Sequence, residues 1–168
     1  NLRVATVKKP SSKVICHITN WSFYRKGEGK FVPENLDYSL CTHILYSFAS
    51  LDPELHIMVE FDSWVDVENK FYSRTVKSAK GKPVLLSIGG WTDSTNGKYS
   101  ELVSNRKLRD NFIDNAIPFL KRYGFAGMHF DWNYPGCPQS DCKNGNAEDK
   151  VNFSLFIQVR FIYYLIYT

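Results

Sequence analysis

Three short apolar runs do most to limit what this chain can become: residues 14–19 (VICHIT), 43–49 (HILYSFA) and 84–88 (VLLSI). A strand with one wet face alternates apolar and polar side chains. These runs are almost continuously apolar, as strands covered on both faces of a parallel sheet are. Helical periodicity lies between them: Trp64, Val67, Phe71, Thr75 and Ala79 recur every three or four residues, and Leu108, Phe112, Ala116, Leu120 and Tyr123 do so more clearly. Gly81 and Gly124 follow the two patterns, where a left-handed closing residue is useful. Asn146 is expected to cap a last helix with Asp149 in its first turn. The order of elements argues for an α/β fold, either an open doubly wound sheet or part of a (β/α)₈ barrel. A complete barrel needs about 200 residues or more. With 168 residues and four strong strands, the expectation is the N-terminal half of a barrel, truncated after the fourth strand and its helix. Residues 1–12 read as a linker-like extension, and residues 13–168 as the partial domain.

Composition excludes several classes. With 43% hydrophobic and 15% aromatic residues the chain can build a core, and a net charge of +4 without a block of like charge gives no nucleic-acid footprint. Ten Gly and seven Pro exclude collagen-like and low-complexity readings. No apolar run reaches the length of a membrane span, since Gln158 and Arg160 break the tail. The chain opens on Asn1 with no leader before Val14, so a piece of a longer, processed protein is expected. Four cysteines without zinc-ribbon spacing suggest disulfides, hence a secreted protein in an oxidising compartment. Three pairings are open by count. Cys16 in the first run and Cys41 just before the second would lie on neighbouring parallel strands about 4.8 Å apart, so these two are expected to pair. Cys137 and Cys142, in the loop after the fourth strand, are expected to pair with each other. Asn20-Trp21-Ser22 and Asn152-Phe153-Ser154 fit the glycosylation triplet.

A fourth run, residues 127–135 (GMHFDWNYP), carries the chemistry. A period of two puts His129, Asp131 and Asn133 on one face and Met128, Phe130 and Trp132 on the other. If the apolar face packs on helices, the polar face points into a barrel and ends where strand C-termini form an active site. Such a buried polar ladder is either a satisfied core network or a site. A metal offers a rival use: His17, His43 and His129 lie on successive strands and, with Asp131, supply metal-ligand chemistry.

The segments Lys13-Val14-Ile15-Cys16, Thr19-Asn20-Trp21, Leu40-Cys41-Thr42-His43-Ile44, Ser87-Ile88-Gly89-Gly90-Trp91, Tyr123-Gly124-Phe125, Asp131-Trp132 and Tyr134-Pro135 together resemble the family-18 glycoside hydrolases, the chitinases and chitinase-like lectins. The stretch from Tyr134 to Gly145 further resembles the multidomain insect members. The resemblance runs over about residues 13–156 and fails past Gln158, so that residues 159–168 look like a foreign ending. It implies a (β/α)₈ barrel acting on β-1,4-linked N-acetylglucosamine, with no cofactor and no metal, and with His43 as a structural residue. It also implies a chitin or chito-oligosaccharide partner, with no nucleic acid and no membrane, within a longer multidomain chain.

In the family the fourth strand reads D-x-x-D-x-D-x-E, and the last acid protonates the glycosidic oxygen while the substrate's acetamide acts as nucleophile. Here Ala126 stands at the first Asp, His129 at the second, Asp131 matches the third and Asn133 replaces the Glu. An amide cannot give up a proton near neutral pH, and a positioned acid or base is worth about 10²- to 10⁴-fold. The expected function is therefore chitin binding by a chitinase-type domain without its general acid. Two alternatives stay open: a weakly active chitinase that uses Asp131, and a protein-interaction module without sugar binding. For binding, the resemblance implies Trp21 and Trp91 as sugar-stacking rings, Gly89, Gly90 and Thr92 as the cleft floor, and Tyr134 beside the cleavage point. Phe48 is open between core and cleft, and Glu60 and Phe61 are cleft-edge candidates.

Overall fold

The computed structural model describes the backbone of residues 12–167 and the side chains of residues 12–158. The linker expectation for residues 1–11 lies outside this range, as do Thr168 and the side chains of the divergent ending. Among the described residues five strands form one sheet: β1 (Ile15–Thr19), β2 (His43–Leu51), β3 (Met58–Glu60), β4 (Val84–Gly89) and β5 (Gly127–Asp131). Four helices accompany them: α1 (Phe71–Ser78), α2 (Lys98–Ser104), α3 (Arg106–Tyr123) and α4 (Asp149–Tyr167). The sheet order is β1-β2-β4-β5, all parallel, with β3 added antiparallel to the end of β2. The three apolar runs and the polar fourth run are thus the four parallel strands, each beside its predecessor. Gly124 closes α3 in the left-handed conformation (φ 79°), and the Asn146 side chain accepts a hydrogen bond from the Glu148 N–H just before α4.

Register separates two faces. Ile15, His17, Thr19, Leu45, Ser47, Leu85, Ser87, His129 and Asp131 alternate onto one face through the pairs His17↔Leu45, Thr19↔Ser47, Leu45↔Leu85, Ser47↔Ser87 and Ser87↔His129. Ile18, Ile44, Tyr46, Val84, Leu86, Ile88, Phe130 and Trp132 occupy the other, where they join a buried cluster with Phe112, Ile113 and Ala116 of α3 and Phe156 of α4. The core therefore lies between sheet and helices. An exposed half-barrel lumen would be expected to be apolar. Instead it carries two serines, a threonine and two histidines in its middle, and the rings of His17 and His129, from the two outermost strands, approach to 6.4 Å edge to face.

Both expected disulfides are present, Cys16–Cys41 across β1 and the start of β2 (Cα–Cα 5.8 Å) and Cys137–Cys142 within the loop after β5 (Cα–Cα 3.9 Å). The periodic stretch from Trp64 to Ala79 is not one helix. Trp64–Glu68 form a turn of π-helix, Lys70 turns left-handed (φ 60°), and α1 begins at Phe71. Asn69 explains the break, because its side-chain amide and its backbone N–H both bind the Trp64 carbonyl and stop the helix from continuing. Trp64, 54% exposed, then faces solvent rather than the core stripe that its spacing suggests.

Among the described residues, the outer edges of β1 and β5 have no strand partner. Parallel edges of this kind template pairing with other chains. We expect the 168-residue chain to self-associate, seen as a concentration-dependent sedimentation coefficient. A single monomeric boundary with a cooperative thermal transition would contradict this.

Candidate functional site

The candidate residues converge at the C-terminal ends of the parallel strands. In the β2–β4 ladder Ser47 pairs Ser87 and Ala49 pairs Ile88, so Phe48 is the extra residue of a bulge. A bulge re-aims a side chain, and Phe48 leaves the alternation to stack on Trp21 at 5.9 Å with 17° between the planes. Trp21 comes from the 3₁₀ turn Asn20–Tyr24 that follows β1. Cis peptide bonds lie at Ser47–Phe48 and Asn133–Tyr134. At the end of β4, Gly89 and Gly90 hold positive φ (109° and 82°) and let the chain pass against its neighbours. A Cβ on Gly89 would lie 2.6 Å from the Asp131 carbonyl oxygen, and one on Gly90 would lie 2.8 Å from the Phe48 ring. Trp21, Phe48, Phe61, Gly89, Gly90, Trp91 and Thr92 line one groove of about 430 Å³.

Trp21, Trp91 and Tyr134 are 44%, 52% and 49% exposed, so their rings are open to solvent rather than packed in the core. The structure gathers Trp21, Phe48, Phe61, Gly89, Gly90, Trp91 and Thr92 around the groove, while Tyr134, on the loop after β5, is not part of its lining. Glu60 stands apart from the groove lining and accepts a hydrogen bond from Tyr123 Oη at 2.7 Å.

Below the groove, His129 and Asp131 follow one another on the lumen side of β5, and Asn133 comes just after the strand. Asn133 Nδ2 donates to Asp131 Oδ1 at 3.0 Å, and its backbone N–H donates to Ser94 Oγ at 2.8 Å. His129 Nδ1 lies 3.1 Å from Ser87 Oγ. Burial holds the His129 imidazole below its ordinary value, against the pull of the Asp131 charge, while nearby His17 pushes in the same direction as burial. His129 is therefore neutral near pH 7 and adds no positive charge beside Asp131. Ala126 precedes the strand, its N–H on the Val84 carbonyl oxygen at 2.8 Å. The histidines share the lumen face, but His43 pairs with Ile15, one layer below His17, and its ring sits on Thr42 at 2.9 Å. Among the described residues no group of three or more His, Cys, Asp or Glu side chains is gathered in a way that could hold a metal. The triplet at Asn20 is closed as well. Asn20 and Ser22 are buried, with Asn20 Nδ2 donating to Asp66, so this asparagine offers no free amide to a glycan.

Sequence reasoning missed Asp93, a buried carboxylate that accepts from Ser50 Oγ, the Leu51 N–H at 3.2 Å, Lys98 Nζ at 2.6 Å and Tyr99 Oη at 2.6 Å. Half of its partners sit more than 40 positions away in sequence, and no local spacing announces them. It also missed Ser94, which binds the Gly90 carbonyl at 2.7 Å and receives Asn133 N–H.

Residues 13–160 match the model of glycosyl hydrolases family 18. A probable chitinase 10 of Drosophila melanogaster is 51% identical over 150 residues, covering 89% of this chain and 6% of that protein. Catalytic domain 2 of the Ostrinia furnacalis Group II chitinase, solved as a mutant in complex with penta-N-acetylchitooctaose, (NAG)5, superposes with a TM-score of 0.84 at 45% identity, over 87% of this chain and 38% of that one. Human YKL-39, described as a pseudo-chitinase with retained chitooligosaccharide binding properties, superposes with a TM-score of 0.69 at 32% identity, over 88% of this chain and 37% of that one. This chain thus spans well under half of each of these relatives.

The close approach at Gly89 makes a direct test of the site geometry. Gly89→Ala adds a clash with the Asp131 backbone to the cost of a positive φ, whereas Gly97→Ala, at φ +68° with open space around it, has the conformational cost alone. Chemical denaturation should give a loss of about 1 kcal/mol at Gly97 and at least twice that at Gly89. Equal losses would mean that β4 and β5 do not meet this closely.

Proposed function

Since the chain belongs to the glycosyl hydrolases of family 18, we propose that it binds chitin oligomers and does not cut them. The observation that carries this is Asn133. It stands at the end of β5, beneath an open aromatic groove, with its amide donating to Asp131 rather than offering an acid proton to a ligand. An amide can hold a sugar oxygen and cannot protonate one. His129, neutral and bound to Ser87, supplies no carboxylate to orient an acetamide, and Ala126 supplies none either. The exposed faces of Trp21 and Trp91 suit the apolar faces of pyranose rings, and that contact needs no acid. The retained binding described for YKL-39 supports the same separation of binding from cleavage. Two disulfides fit an extracellular location. In a protein of its relatives' length the domain would hold polymer for catalytic neighbours, where tethering raises local concentration.

A second reading, slow hydrolysis, rests on Asp131, which keeps a carboxylate on this strand end. Turnover of a fluorogenic chitotriose decides between them. We expect chitopentaose binding with no turnover, and Trp91→Ala should weaken binding about tenfold, or about 1.4 kcal/mol. In a version extended to a complete barrel, Asn133→Glu alone should restore little. Ala126→Asp, His129→Asp and Asn133→Glu together should restore far more, as groups that act as one unit do. Hydrolysis by the unmodified barrel at the rate of the triple variant would overturn the binding-only reading.

A further inference from the structure

One groove residue, Trp21, stands on a turn whose anchor is a buried acid that the binding chemistry does not use. Asp66, on the π-helical turn Trp64–Glu68, has no solvent exposure. Its Oδ1 accepts from Tyr46 Oη at 2.6 Å, its Oδ2 accepts from the Asp62 N–H at 2.9 Å, and Asn20 Nδ2 donates to both oxygens at 3.3 and 3.4 Å. Asn20 is itself buried, opens the turn Asn20–Tyr24, and precedes Trp21 directly. One carboxylate thus ties the end of β1 to β2 and to the segment before α1. We propose that Asp66 is a positioning residue for sugar binding: its ionised carboxylate clamps the turn that presents Trp21, and gain of a proton releases the clamp and lowers affinity for chito-oligosaccharide. This rests on the binding function proposed above.

The cluster shows how a proton would act. In the ionised form the carboxylate is an acceptor only, and all of the contacts just named point toward it. A proton turns one oxygen into a donor that needs an acceptor. The unfilled acceptor here is Asn20 Oδ1, which is buried with no hydrogen-bond partner, and Tyr72 Oη is likewise buried and unpartnered. Asn20 Oδ1 belongs to the same amide whose nitrogen now holds the carboxylate. The new O–H and the Nδ2 hydrogens cannot both donate into the same gap, so the two Nδ2 contacts, the longest in the cluster at 3.3 and 3.4 Å, are the ones lost, and the residue they held is next to Trp21.

The titratable groups around Asp66 are Tyr46 on β2, Tyr72 on α1 and Asp62 in the preceding loop, with Tyr24 and Tyr123 of α3 further out. Arg74 of α1 is paired with Glu34. Burial pushes the Asp66 carboxyl up to about 6, against hydrogen bonds from Tyr46, the Asp62 N–H and Asn20, and the Asp62 charge adds to the rise. The sign for stability follows. A carboxyl whose folded value is raised contributes stability that is complete below its unfolded value and is lost as pH rises through about 6. Affinity should run the other way, and this opposition separates a clamp from a residue that merely stabilises the fold.

The test uses the full chain from pH 5.0 to 7.5, with chitopentaose calorimetry, ¹³C signals of the aspartate carboxyls and the indole N–H signal of Trp21. Affinity should fall about fivefold toward the acid end, the low side of ordinary coupling between sites. The Trp21 signal should move with the same midpoint as the Asp66 carboxyl, near 6. Asp66→Asn should hold affinity at the acid-form value and flatten both profiles, while being no less stable than the native chain at pH 7.5. Tyr46→Phe, which removes a donor to the ionised form, should shift the midpoint upward. A native pH profile in Asp66→Asn, a Trp21 signal indifferent to pH, or an unmoved midpoint in Tyr46→Phe would each overturn the clamp. A Trp21 signal that follows Asp66 without sugar binding at any pH would leave the clamp standing and overturn the binding function instead.

Discussion

A buried carboxylate, Asp93, organises the Trp91 side of the rim of this half-barrel. Asp93, 5% exposed, is tolerable in the interior only because donors surround it. Two come from the end of β2, at Ser50 and Leu51, and two from the start of α2, at Lys98 and Tyr99. Lys98 reaches further, to the Leu51 carbonyl at 2.8 Å. The loop between β4 and α2 is thereby fixed to β2, and Trp91, Thr92 and Ser94 are fixed with it. Ser94 passes the constraint on to β5 through the Asn133 N–H, and Gln139 adds a bond from the disulfide loop to the Trp91 carbonyl at 2.8 Å. Removing one partner of such a group leaves a buried charge or donor uncompensated, which typically costs about 3–5 kcal/mol.

The motif on β5 has its meaning only against that scaffold. Asp131 and Asn133 keep the spacing of the family motif, and the Asn133 amide donates to the Asp131 carboxylate within the protein. His129 lies against Ser87, so the lumen face of this strand is polar at its middle. A groove of exposed rings can recognise an apolar sugar face, and of the four motif positions beneath it only Asp131 carries a carboxylate.

Much of the fold was legible because it is written locally. Near-continuous apolar runs mark strands packed on helices, and period-two alternation on β5 separates Phe130 and Trp132 from His129 and Asp131. The cysteines were legible once two strands were known to be neighbours. What escaped was non-local or depended on a competing local bond. Three residues at β3 carry no pattern of their own and exist as a strand because the end of β2 pairs with them. The helical spacing from Trp64 was real, but Asn69 captures the Trp64 carbonyl and ends the run early. Phe48 was undecided from sequence because alternation alone cannot say that a bulge takes it off the sheet. Asp93 and Asp66 were invisible because their partners come from distant elements. The groove aromatics were singled out through family resemblance, since an aromatic beside a strand more often packs in the core.

The location of the core has a further consequence, for how the domain assembles. Because the apolar cluster lies between sheet and helices, each parallel strand pairs with the parallel strand made before it, and β4 and β5 each follow a helix that packs on the same face. Packing can then proceed by local steps as the polypeptide leaves the ribosome, without waiting for a ring to close. The serines and histidines that face inward exert little hydrophobic pull on whatever arrives next. Strands added to complete a ring would find their place by backbone pairing along β5 and β1 rather than by capture on an oily surface, and that favours correct register over speed.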